Sequence, residues 1–231
     1  MIGVIGGNGV AATNKLCTLI EEAKTASGAF RDAHHPEMLI WQATQVPSRS
    51  MYLEGKGPSF IEGYVEIAKK MKMCGVDKIC ICCNTAHYAL EEIGQKSGVP
   101  MMDLIEAVAL EVKARGPRKI ALLASEGAMK AGIYQKKFAR YVPEVEVLYP
   151  EEAMQQLVTK GICNVKNKSR FLPKEDSENP YAIFHKIHDY FIGQGADIVV
   201  MGCTDIGVVF PEMGNTLDSL HVLARSILRE S

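Results

Sequence analysis

Short apolar runs rich in Ile and Val alternate along this chain with longer stretches in which apolar residues recur every three to four positions. The first pattern suits strands buried on both faces and the second suits helices that cover them, so the chain is expected to be α/β with mostly parallel sheets. Strands are predicted at Ile2–Ile5, Met38–Thr44, Lys78–Cys82 and Pro100–Met102, then at Ile120–Ala124, Glu146–Tyr149 and Ile198–Met201. Helices are predicted at Ala11–Lys24, Ser59–Met73, Thr85–Gln95, Ile105–Lys113, Ala128–Arg140, Glu151–Thr159, Pro180–Gln194 and Ser219–Leu228.

The pattern runs twice. Cys83-Asn-Thr85 follows the apolar run ending at Cys82, and Cys203-Thr-Asp205 follows the run ending at Gly202. The turns after the two leading strands also correspond, Ile2-Gly-Val-Ile-Gly-Gly-Asn-Gly9 with Ile120-Ala-Leu-Leu-Ala-Ser-Glu-Gly127. Gly9 precedes Cys83 by 74 positions and Gly127 precedes Cys203 by 76, as two copies of one α/β unit require. We therefore expect two pseudo-symmetric three-layer α/β domains, residues 1–104 plus 211–231 and residues 105–210, with the last helix packing back on the first. If the halves face each other, two thiols meet across one cleft.

Composition narrows the partners. With 26 Lys plus Arg against 27 Asp plus Glu, no overall field is expected to hold a nucleic-acid backbone or an anionic membrane. The longest apolar stretch, Ile198 to Phe210, is broken by Gly-Cys-Thr-Asp and is too short to cross a bilayer. The opening Met-Ile-Gly-Val has no basic region or cleavage site, so a cytoplasmic protein is expected. Seven cysteines, an odd and clustered set, suggest reduced thiols.

Cys83 and Cys203 stand where a strand hands over to a helix, and a thiol at a helix N-terminus can ionise more easily and act as a base. Cys17, Cys74, Cys80 and Cys82 fit equally well as small buried hydrophobes. The Cys74–Cys83 group lacks the paired spacing of zinc sites, so no metal is expected. Gly7-Asn-Gly9-Val-Ala-Ala12 matches a loose dinucleotide pattern, but Met38-Leu-Ile-Trp-Gln-Ala-Thr-Gln45 lacks the ribose-binding acid. The same glycines can bring backbone N–H groups to a small carboxylate. Asn84, Thr85 and Thr204 are candidate donors or simple helix caps. Asp205 is expected to raise the Cys203 pKa unless it caps a helix or binds an ammonium, and His87 is as well explained by a bond within its helix. The loop from Val46 to Pro58 lies at a strand's carboxyl end, where open α/β sheets bind ligands; the basic stretch Ile162 to Glu178 reads as a cover or a solvated loop.

These residues resemble the cofactor-independent aspartate/glutamate racemase superfamily, and its aspartate racemase branch in particular. The likeness runs through Gly6-Gly-Asn-Gly9, Pro47-Ser-Arg-Ser-Met-Tyr-Leu53, Cys83-Asn-Thr-Ala-His87, Pro100-Met-Met-Asp103, Ala124-Ser-Glu-Gly127, Gly202-Cys-Thr204 and Leu217-Asp-Ser-Leu-His221. The resemblance implies an amino-acid racemase without pyridoxal phosphate or metal, commonly dimeric, with Cys83 and Cys203 as acid and base in a cleft between domains. Gly7, Asn8, Gly9, Arg49, Asn84, Thr85, Ser125, Thr204 and Asp205 would then contact substrate. Three positions depart from the family: Asp205 stands for Glu, Ala128 for Thr, and Thr159 for a carboxylate-binding lysine. Strict aspartate preference is therefore not expected unless Lys160, Lys166 or Lys168 restores the charge. Open alternatives are a decarboxylase, cis–trans isomerase or hydantoin racemase on the same scaffold, and a non-catalytic two-lobed binding protein.

Overall fold

The computed structural model describes residues 1–230. The first half runs β1 (Ile2–Gly6), α1 (Val10–Ala26), β2 (Met38–Gln42), α2 (Arg49–Leu53), α3 (Ile61–Met73), β3 (Lys78–Ile81), a 3-10 helix (Asn84–Ala89), α4 (Leu90–Ser97) and α5 (Leu104–Arg115). The second half runs β4 (Lys119–Leu123), α6 (Glu126–Lys130), α7 (Ile133–Tyr141), β5 (Glu146–Leu148), α8 (Glu152–Val165), a 3-10 helix (Lys168–Phe171), α9 (Pro180–Gly193) and β6 (Ile198–Met201). It ends with α10 (Ile206–Val209), β7 (Thr216–Asp218) and α11 (Ser219–Arg229).

Both sheets are parallel, in the orders β2-β1-β3 and β5-β4-β6-β7. A lone parallel bridge from Ile79 to Met101 stands where β7 stands in the second sheet, so the halves share one strand order. An aspartate at or just after each of these positions caps the next helix. Asp103 accepts from Glu106 N at 2.9 Å and Asp218 from Leu220 N at 2.9 Å. Each satisfies an N–H that the first helical turn leaves free.

Alternate strand residues face opposite layers. Ile5, Ile79 and Ile81 pack under α3 and α4, while Ala121, Leu123, Val199 and Met201 pack under α8 and α9. The other faces, including Val4, Cys80, Ile120, Leu122 and Val200, join a single core with α1, α5, α7 and α11. Each half is a three-layer α/β unit, and its inner helical layer is common to both.

Several expected elements change. Of residues 211–231, assigned from sequence to the first unit, residue 231 lies outside the described residues and the others divide: β7 extends the second sheet, while α11 packs on α1 and α5. The helix expected over Ala128–Arg140 breaks at Gly132, which adopts φ +63 between α6 and α7. The helix expected to stop at Thr159 continues to Val165; Gly161 does not end it but lets it pack closely on α9, where a Cβ would meet the Phe184 ring 2.7 Å away. The basic stretch after Ile162 is thus partly helical.

Across the middle, Asn84 Nδ2 donates to Ser219 Oγ at 3.0 Å and Tyr134 OH donates to Asn84 Oδ1 at 3.0 Å. Both Asn84 and Tyr134 are almost fully buried. Tyr134→Phe should leave the Asn84 oxygen without its donor and destabilise the protein by about 1–3 kcal/mol. Urea unfolding reads this as a lower midpoint at constant m-value; an unchanged midpoint would show that the bond contributes nothing net.

Candidate active site

Five strand ends converge on one cavity of about 260 Å³. Asn8 follows β1, Ser48 and Arg49 follow β2, Cys83 follows β3, Ser125 follows β4 and Cys203 follows β6, and all of them line it. Each thiol sits two residues beyond its strand, on the first turn that leaves the sheet. Polar bonds tie the two halves together around it. Thr85 Oγ1 and Ser125 Oγ are 2.8 Å apart, Thr204 Oγ1 donates to Cys82 O at 3.4 Å, and Gly127 N donates to Ser50 Oγ at 3.2 Å.

The thiols have different neighbours. Arg49 lies beside Cys83, its guanidinium donating to Pro47 O at 2.9 Å and more weakly to Val46 O and Asn8 O. Its Nε is buried without a partner. Burial opposes the charge, but Cys83, Tyr64 and Asp205 nearby outweigh it, and the pKa rises. Cys203 Sγ instead lies 3.9 Å from Asp205 Oδ2, and Lys166 Nζ is 2.9 Å from the same oxygen. Burial pushes the Cys203 thiol well up and the Asp205 carboxylate adds to this, with Lys166 pulling the other way. Burial also raises Asp205 despite its ammonium partner, and its Oδ1 is left without a hydrogen bond.

Macrodipole activation of the thiols, expected from sequence, does not hold for Cys203. The helix after it, α10, has four residues, too few aligned peptides to offset desolvation. His87 is structural: Leu104 N–H donates to its Nε2 at 3.2 Å, so Nδ1 carries the proton and donates to Cys83 O at 2.9 Å. Burial lowers its pKa and keeps it neutral. At the corresponding place in the second half is Gly207, where a Cβ would collide with the Asp218 carboxylate.

The family described as Asp/Glu/hydantoin racemase matches residues 2–227. This chain belongs to that family. It is 28% identical to the broad-specificity amino-acid racemase RacX of Bacillus subtilis, over 98% of this chain and 96% of that protein. It is 29% identical to the glutamate racemase of Aquifex aeolicus over 70% of this chain and 59% of the relative. Among solved structures it shares its fold with the Picrophilus torridus aspartate racemase, at TM-score 0.83 and 23% identity over 99% of this chain and 93% of that one. The Aquifex pyrophilus glutamate racemase is more distant, with TM-score 0.61 and 20% identity over 100% and 83%. The protein is accordingly an isomerase, an amino-acid racemase.

In this racemase, nine of the eleven residues expected at the site line the thiol cavity, and Gly7 and Gly9 do not. Gly7 N–H already donates to Thr13 Oγ1 at 2.9 Å, and Gly9 is bare because Asp205 Oδ1 occupies the space of a Cβ. The Gly7 amide is therefore committed, and both glycines border the neighbouring groove rather than the cavity. The Asn84 side chain, though it reaches the cavity wall, is committed at both ends to Ser219 and Tyr134. Three cavity residues on one face of α8 and its cap were not singled out as a set: Thr159, Cys163 and Lys166. Their i, i+4, i+7 spacing is the signal, hidden while the helix was expected to end at Thr159. Thr159 Oγ1 is buried there without a partner. Among the described residues, no three His, Cys, Asp or Glu side chains are arranged to hold a metal, and no helix is long and apolar enough to cross a membrane.

Asp205→Asn should lower the Cys203 pKa, because it removes the carboxylate and frees the Lys166 ammonium to act on the thiol. Cys203 should then be alkylated severalfold faster by iodoacetamide at pH 8, measured by peptide mass spectrometry. An unchanged rate would mean that burial alone holds this thiol protonated.

Proposed function

We propose that this racemase interconverts L- and D-aspartate, and other amino acids less selectively, by proton transfer between Cys83 and Cys203 without pyridoxal phosphate or metal. The observation that carries the reading is that both thiols line one small cavity together with Arg49 and Lys166. In one direction a Cys83 thiolate takes the α-proton from one face of the substrate and the Cys203 thiol delivers its proton to the other. The raised pKa of Cys203 suits the acid in this direction. In the reverse direction the roles exchange, and Lys166 supplies the positive charge that a Cys203 thiolate needs. The electron pair left on the α-carbon requires donors held ready around the carboxylate; in this reading Thr85, Ser125 and the amides after Cys83 and Cys203 supply them.

Arg49 holds a substrate carboxylate in this reading, and Lys166 takes the part of the lysine absent at position 159. Its approach from two helical turns further along α8 leaves space beside Thr159, which supports breadth of substrate rather than strict aspartate use. A cytoplasmic homodimer belongs to the same reading; light scattering on the purified protein tests the dimer.

Cys83→Ser and Cys203→Ser should each reduce racemisation by orders of magnitude with the fold intact, because serine is a far weaker acid and base near neutral pH. Incubation of single enantiomers in D2O, with deuterium exchange and chirality both followed, decides it. A single variant that racemises near the wild-type rate would remove the two-thiol assignment, and ligand-induced stabilisation without exchange would favour a binding protein.

Arg49→Lys should raise KM for aspartate more than for alanine, since a point charge does not reproduce the planar fork that grips a carboxylate. Equal effects on both substrates would place Arg49 outside side-chain recognition.

A further inference from the structure

Beside the thiol cavity runs a groove of about 890 Å³, bordered by the Gly7–Gly9 turn, the start of α1 and the 3-10 helix Lys168–Phe171. It shares Asn8, Ser48, Arg49 and Lys166 with the cavity, so the two spaces meet at these side chains. Four cations line the groove, Arg49, Lys166, Lys168 and Arg170, and no Asp or Glu does. Lys166 is paired with Asp205, but Lys168 and Arg170 have no carboxylate partner among the described residues.

The Arg170 charge is also held in place, while Lys168 is exposed on the same capped turn. Asn167 Oδ1 accepts from Ser169 N at 2.7 Å and caps the 3-10 helix, and the Arg170 guanidinium stacks 4.7 Å from the Phe171 ring centre. The 17-residue α1 starts beside them with neither a side-chain cap nor an acidic residue in its first turn, but the Asp205 carboxylate lies against Gly9 before it, so the helix adds no unopposed positive end. Elsewhere on the cavity wall stand Glu54 and Glu126, each bound to an exposed lysine, Lys56 and Lys130. The potential therefore differs between the two sides of the cavity.

We infer that this groove is the entrance through which substrate reaches the thiols, and that Lys168 and Arg170 favour amino acids of net negative charge before they contact the cavity. A cleft lined by one sign of charge raises the local concentration of counter-charged solutes, and salt weakens the effect. The inference deepens the proposed function and depends on it only for the identity of the substrate.

Iodoacetate and iodoacetamide test it without any racemisation assay. They differ in charge and little in size, and each forms a thioether as the thiolate displaces iodide. The measurement is the iodoacetate-to-iodoacetamide rate ratio at Cys83 or Cys203, whichever reacts first, divided by the same ratio at the exposed Cys74. Lys168→Glu/Arg170→Glu should lower this normalised ratio about five- to tenfold near 10 mM ionic strength and about twofold near 150 mM. Lys168→Gln/Arg170→Gln should produce roughly half the effect on a logarithmic scale, which keeps the test available if charge reversal disturbs folding. A ratio unchanged in both variants, or insensitive to salt in the wild type, overturns the inference, as does a cavity closed to both reagents. A shifted ratio in a protein that racemises nothing leaves the entrance standing and removes only the reaction assigned to the site.

Discussion

The layer of helices shared by the two sheets is the constraint from which the site follows. Strand residues such as Val4, Cys80, Leu122 and Val200 bury against α1, α5, α7 and α11 from opposite sides, in one continuous core. Neither half can rotate away without exposing that layer to water. Because both sheets are parallel and share one strand order, their corresponding carboxyl ends are held together, and the turns that leave β1, β3, β4 and β6 close around one cavity. Parallel sheets present loops at that end in any case; here two sets of loops meet.

The repeat is close in backbone and unequal in charge. Cys83 has a guanidinium beside it, held by three backbone carbonyls, whereas Cys203 has a carboxylate and an ammonium. The turns beneath them are also braced differently. In the first half a neutral His87 joins Cys83 O to Leu104 N, and in the second the Asp218 carboxylate occupies that space beside Gly207 and accepts from Leu220 N. A racemase meets mirror-related substrates with an L-amino-acid framework, so equal thiols in unequal surroundings are compatible with its task.

Asp205 shows how tightly the halves are coupled. Its carboxylate, almost fully buried, reaches from the second half to Gly9 in the first, where any side chain would displace it, and to Lys166 at the end of α8. Burying a charge costs free energy unless a partner compensates, and Lys166 is that partner for one oxygen. One residue thereby joins a thiol and a lysine of the second half to a glycine turn more than a hundred positions earlier in the chain.

Much of this was legible in the sequence. Short apolar runs marked seven strand positions, six of them strands and Met101 a bridge, and the doubled Cys turns marked the two thiols, because strand burial and the turn after it are local properties. Most of the nine cavity residues named from the sequence lie within a few positions of a strand end, and Arg49 and Ser125 were named through the family resemblance. The remainder depended on contacts between distant segments. Thr216–Asp218 is too short to announce itself and becomes a strand only because β6 offers its edge; Gly161 reads locally as a helix end but is the point where α8 packs closely on Phe184. The sequence alone determined the α/β repeat and where its two thiols stand. Only the tertiary structure decided that Lys166 faces the thiol cavity, that Gly9 makes room for Asp205, and that Asn84 braces the halves, since each follows from which surfaces are buried against one another and not from any local pattern.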